Sequence, residues 1–154
     1  MYRNDAKRFY RALTALEHDP RVRQMERFRQ HKGNSTLNHC HNVAVTGFRM
    51  AQRLGWDIDE EALARGALLH DFHLYTRKSM DWQHLFRHPR LALKNAEEYF
   101  SLSEKERNII TSHMWPLTVL HPPLSREAFL VMLADKRCAF RECAVSTAGF
   151  EKVF

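Results

Sequence analysis

The sequence predicts an all-α fold, a single-domain bundle of about six to eight helices. Three observations carry that expectation. Apolar residues recur at three- and four-residue spacing in segment after segment. Capping residues and prolines sit where helices start and stop. No alternating run of useful length reads as a strand.

The elements follow in order. Ala6, Phe9, Leu13 and Leu16 repeat at helical spacing, and Asp19-Pro20 closes that helix. Pro20 opens the next, with Val22, Met25 and Phe28 or Arg29 on one face and Gly33 expected at its end. From about Ser35 to Leu54, the side chains of Leu37, His41, Ala44, Phe48 and Ala51 share a side, and Gly55 stops the helix. Asp57 to Glu60 reads as a capping box with Asp57 at the cap. It starts an apolar helix through Ala62, Leu63, Ala67 and Leu69 to His70-Asp71. His88-Pro89 is expected to start another, with Pro89 at the first helical position, continuing through Ala92, Leu93, Ala96 and Phe100. Ser103-x-x-Glu106 is a capping box for a short helix carrying Ile109 and Ile110. Prolines make the stretch from Trp115-Pro116 to His121-Pro122-Pro123 a loop. Ser125 caps a last long helix with Ala128, Val131, Met132 and Ala139 inward.

Composition narrows the class. The chain has 154 residues, 44% hydrophobic and 27% charged, the balance of an ordinary globular domain. It has no apolar run of about 20 residues and no apolar stretch after the N-terminus, so neither a membrane span nor a secretory signal is expected. Three cysteines without a Cys-x-x-Cys pair suit reduced thiols in a cytoplasm. Residues 1–35 hold nine Lys/Arg against four Asp/Glu, which is +5 of the formal +6. No nucleic-acid motif accompanies that charge, so it reads as a solvated face and nucleic acid is not an expected partner. The expected organisation is basic N-terminal helices over 1–34, a core over 35–142 and a C-terminal tail over 143–154.

Polar residues on apolar faces carry the chemistry. His70-Asp71 follows Ala67-Leu68-Leu69, and burying a carboxylate there is costly unless its charge is compensated. Asp135 lies four residues after Val131 and four before Ala139, on the inward stripe of its helix. His113 follows Ile109 and Ile110 on the apolar side, and His39 lies four residues before Val43. One buried His is usually a satisfied core residue, and one buried Asp a cap or an ion-pair partner. Several on separate helices of one small bundle point to a divalent cation at the centre, which supplies the charge carboxylates need and takes imidazole lone pairs.

Here the residues resemble a family. His39, then His70-Asp71, then Asp135 is similar to the His…His-Asp…Asp signature of the HD-domain metal-dependent phosphohydrolases. The flanks Gly66-Ala67-Leu68-Leu69-His70-Asp71, His39-Cys40-His41-Asn42-Val43-Ala44 and Leu133-Ala134-Asp135-Lys136 resemble that family too, from about residue 30 to 142. The resemblance implies an all-α fold and a first ion held by His39, His70, Asp71 and Asp135. His88 and His113 fall where some members hold a second ion, with Asp71 bridging. It implies hydrolysis of a phosphate ester, mono- or diester and nucleotide-like in one version, through a metal-activated water that Asp71 orients. Mn, Fe, Ni, Co, Mg and Zn are not distinguished by such ligands. Lys136, Arg77, Lys78 and Arg90 are candidates to steady the phosphate of a small substrate.

The chain also departs from the family pattern. Leu74 stands where many members have a Lys after the His-Asp pair, and the Gly-Tyr-Pro motif of the cyclic-dinucleotide branch is absent. A di-iron oxygenase on the same scaffold and a non-catalytic ligand-binding module are therefore the alternatives. The substrate, the native ion and any homo-oligomer stay open at this level.

Overall fold

The computed structural model describes residues 5–31, 33–72 and 82–148. Among these, seven α-helices form the fold: α1 (Ala6–Glu17), α2 (Pro20–Arg23), α3 (Thr36–Leu54), α4 (Glu60–Leu69), α5 (Trp82–Tyr99), α6 (Glu104–Ser112) and α7 (Arg126–Ala148). A 3-10 turn over Gln24–Arg27 follows α2, and a small antiparallel ribbon pairs β1 (Arg29–His31) with β2 (Asn34–Ser35). No helix among the described residues is long and apolar enough to cross a membrane.

Local chemistry sets the helix ends. Asp5 accepts from the Lys7 and Arg8 amides to start α1, and Asp19 accepts from the Arg21 amide with Pro20 as first residue of α2. Ser35 caps α3, and Gly55 ends it in the left-handed region at φ 63°. The capping box of α6 forms as read, Ser103 and Glu106 each satisfying the other's backbone amide. Ser125 Oγ accepts from the Ala128 amide at the start of α7.

Three boundaries differ from the sequence reading. The cap of α4 is Asp59, which accepts from the Ala62 amide, not Asp57, whose carbonyl instead receives Arg126. The segment after Pro20 does not continue as one helix to Gly33. It stops at Arg27, and Gly33 serves the ribbon turn with φ 87°, a conformation that favours glycine. Thr36 then ties back to Phe28 through its amide and hydroxyl, both donating to the Phe28 carbonyl at 2.7 and 3.1 Å. The third difference is α5, which is already helical at Trp82, so Pro89 lies inside it rather than at its start. An interior proline forfeits one backbone hydrogen bond and costs about 3 kcal/mol or more in an isolated helix. Burial of Ala92 and Ala96, both fully inaccessible, and a bond from Asn95 to the Phe72 carbonyl anchor α5 regardless.

Helix α3 runs through the centre, packed on α4 and α7 along its length, while α1 covers α4 and α6 joins α4 to α7. Phe9 stacks on Phe48 at 4.2 Å between ring centres, fixing α1 against α3. Helices α4 and α6 approach where Gly66 meets Ile109. A Cβ on Gly66 would lie 2.7–2.9 Å from three Ile109 side-chain atoms. That contact sets the spacing between the two helices whose C-terminal ends carry His70 and His113.

Candidate metal centre

Five helices deliver polar side chains to one buried cluster. His39 comes from the second turn of α3, His70-Asp71 from the end of α4, His88 from α5, His113 from the end of α6 and Asp135 from α7. All but Asp135 are buried, and Asp135 has only 13% of its side chain exposed. Helix α4 ends at Leu69 with His70 as its C-cap in the right-handed helical region, and His70 and Asp71 in the turn that follows are both buried.

The distances divide the cluster into overlapping groups. His39, His70 and Asp71 each offer an atom within 4.8 Å of the others, as do His70, His113 and Asp135, and Asp71, His88 and His113. His39 Nε2 lies 3.0 Å and His70 Nε2 3.5 Å from Asp135 Oδ1. Across the cluster, His88 Nε2 and His113 Nε2 lie 3.4 and 3.5 Å from Asp71 Oδ1, and 2.9 Å from each other. His70 Nε2 is 3.6 Å from the other oxygen, Asp71 Oδ2. Asp71 thus faces one set of imidazoles with each carboxylate oxygen.

Backbone carbonyls orient the rings. His70 Nδ1 donates to the Ala67 carbonyl at 2.6 Å, and His113 Nδ1 to the Ile110 carbonyl at 2.7 Å. A carbonyl only accepts, so both rings carry the proton on Nδ1 and turn Nε2 inward. In the neutral form an Nε2 lone pair then faces a carboxylate oxygen, an arrangement that repels. His70 Nε2 is fully buried and makes no hydrogen bond among the described residues. A cation between lone pair and carboxylate converts that repulsion into two bonds, and the oxygen and imidazole donors suit a divalent ion. The residues fit such an ion.

The ionisation pattern points the same way. Burial opposes charge on Asp71, yet His70, His88 and His113 around it hold its carboxyl well below the usual range. Burial likewise works against Asp135, which His39 and His70 keep well below that range. Burial opposes protonating His39, but its bonds to Asp135 and Glu142 raise it to about 10. His70 is raised despite complete burial, by Cys40, Asp71 and Asp135. His113 is pushed down to about 3 by burial and by the charge of His70. Two ionised carboxylates are thus balanced by protons on His39 and His70, a role a divalent ion can take over.

The candidate substrate residues separate. Lys136 Nζ donates to the His113 carbonyl at 3.1 Å and so stands at the edge of the cluster. Arg90 donates to His121 Nε2 at 3.1 Å, on the loop after α6, and is not drawn in with His88. Arg77 and Lys78 lie outside the described residues, as do His73 and Leu74. Two residues beyond the predicted set stand near the cluster. Glu142 accepts from His39 Nδ1, with both carboxylate oxygens at 3.0 Å. It lies seven residues after Asp135, hence on the same face of α7 two turns on, a spacing that does not by itself place His39 beside it. His84, one turn before His88, stacks on it at 5.9 Å between ring centres. His41, on the face read as apolar, instead pairs with Glu17 of α1.

A family model described as HD domain matches residues 36–139. The chain belongs to the HD domain family. That family is generally one of metal-dependent phosphohydrolases, and HD domains bind divalent metals. No curated protein and no solved structure matches the chain. All six predicted ligands fall inside the matched HD domain, whereas Glu142 falls three residues beyond it.

Proposed function

We propose that this HD domain hydrolyses a small phosphate ester, using one or two divalent ions. The observation that carries the reading is the position of Asp71, whose carboxylate stands within 3.6 Å of His70 on one oxygen and 3.4–3.5 Å of His88 and His113 on the other. His39, His70, Asp71 and Asp135 would hold one ion, and Asp71, His88 and His113 a second. Bound there, such ions lower the pKa of water towards neutrality and neutralise phosphoryl charge. The chain's own residues do the rest. Asp71 sits between the two sets and orients the attacking water by accepting its hydrogen bond. His70 and His113, locked by the Ala67 and Ile110 carbonyls, keep Nε2 inward without reorganising. Lys136, already held at the His113 carbonyl, has donors to spare for a phosphate oxygen. The reading places the enzyme in the cytoplasm, where thiols stay reduced and phosphorylated small molecules abound.

The test uses the purified full chain, depleted of metal and then given Mn²⁺, Co²⁺ or Ni²⁺ in turn. Phosphate release is followed across aryl phosphates, a bis-aryl phosphodiester, nucleotides and sugar phosphates. Metal-dependent hydrolysis that disappears in His70→Ala is expected. Absence of hydrolysis with every ion, together with oxygen uptake in the presence of Fe²⁺, would move the assignment to an oxygenase.

A further inference from the structure

We infer that Glu142 is a positioning residue for the cation site: its carboxylate accepts a hydrogen bond from His39 Nδ1–H and so commits that ring to binding through Nε2. The inference rests on the metal reading above. It adds a residue that lies outside the matched family segment.

The geometry comes from the period of α7. Seven residues make almost two full turns and rise about 10.5 Å, so Asp135 and Glu142 project from one face with room for an imidazole between them. His39 occupies that gap. Its Nε2 is 3.0 Å from Asp135 Oδ1, and its Nδ1 is 3.0 Å from each oxygen of Glu142. The ring is only 1% exposed and Glu142 only 14%, so water competes little for this bond.

Among the inward rings, His39 differs from His70 and His113 in one respect. His70 and His113 donate to neutral backbone carbonyls, whereas His39 donates to a carboxylate. A carboxylate behind a ligating imidazole fixes the tautomer and makes the ring a stronger donor, and losing such a partner typically weakens metal binding about 10- to 100-fold. The set that contains His39 is therefore the tighter of the two.

Cobalt(II) is the probe, since both its affinity and its visible bands report on the ligands. Wild type, Glu142→Gln, Glu142→Ala and His70→Ala are compared as full chains by calorimetric titration with Co²⁺, by visible absorption of the loaded protein and by melting of the metal-free protein. Glu142→Ala is expected to lose about 10- to 100-fold in affinity at the tighter site. Glu142→Gln keeps an acceptor oxygen but not the charge, so it should fall between the two with shifted visible bands and a metal-free melting point near wild type. Should Glu142→Ala not fold, Glu142→Gln alone decides. Wild-type affinity and wild-type bands in the folded variants overturn the inference while leaving the metal reading intact. A wild-type chain that takes up no Co²⁺, indistinguishable from His70→Ala, overturns both.

Discussion

Replacing Asp71 by Asn tests the shared carboxylate with almost no change of shape. The side chain is buried and faces three imidazoles at 3.4–3.6 Å. The substitution removes one negative charge and keeps the volume. At about 4 Å and an effective dielectric near 20, a unit charge pair is worth roughly 4 kcal/mol, or about three decades in an equilibrium constant. A site that loses that charge should therefore bind a divalent ion about a thousandfold more weakly. With Mn²⁺ at 100 times the wild-type Kd, binding stabilises the wild type by about 2.7 kcal/mol. The same concentration is about 0.1 Kd for the variant and adds less than about 0.1 kcal/mol. For a chain of this size each kcal/mol moves Tm by about 2–4 °C. Melts with and without Mn²⁺ should thus separate by about 5–10 °C in wild type and not measurably in Asp71→Asn. An undiminished Mn²⁺ shift in the variant would refute the claim that Asp71 lies between the ions.

Three further outcomes follow from the same geometry. Gly66→Ala should cost about 1–3 kcal/mol by forcing Ile109 away, and adding Ile109→Val should recover part of it, measured by chemical denaturation. At pH 7, Mn²⁺ binding should release protons from His39 and His70, both raised above their ordinary value, so the apparent binding enthalpy should change with buffer ionisation enthalpy; a buffer-independent enthalpy contradicts this. In EDTA, stability should peak near pH 6.5. The His39 contribution is complete below the unfolded value of 6.5 and lost as pH rises through about 10. Keeping His113 neutral down to about 3 costs stability as pH falls below 6.5, and Asp71 and Asp135 add further loss below about 3.8. A stability profile that climbs steadily to pH 9 contradicts the assigned ionisations.

The helices were legible because each buries a periodic stripe and most carry their own caps. Ser35, Gly55, the Ser103–Glu106 box and Ser125 act where the sequence places them. The failures are places where local signals compete. Asp57 and Asp59 both resemble caps, and the choice fell to Asp59, which left the Asp57 carbonyl to Arg126 on a distant helix. Gly33 fits a helix end and a ribbon turn equally, and strands of three and two residues are too short to show alternation. Pro89 is favourable at a helix start, but tertiary burial of Ala92 and Ala96 outweighs its cost inside one. In the site, buried polar residues on apolar faces marked His39, His113 and Asp135. Glu142 escaped because a glutamate near a helix end reads as surface, and only the fold brings His39 of α3 beside it.

The most direct measurement is anomalous diffraction at the manganese edge from crystals of the full chain grown with Mn²⁺. A peak bonded to His39, His70, Asp71 and Asp135 is expected, with any second peak about 3.5–4 Å away against Asp71, His88 and His113. Anomalous signal confined to surface carboxylates, with the buried cluster holding none at saturating Mn²⁺, would contradict it.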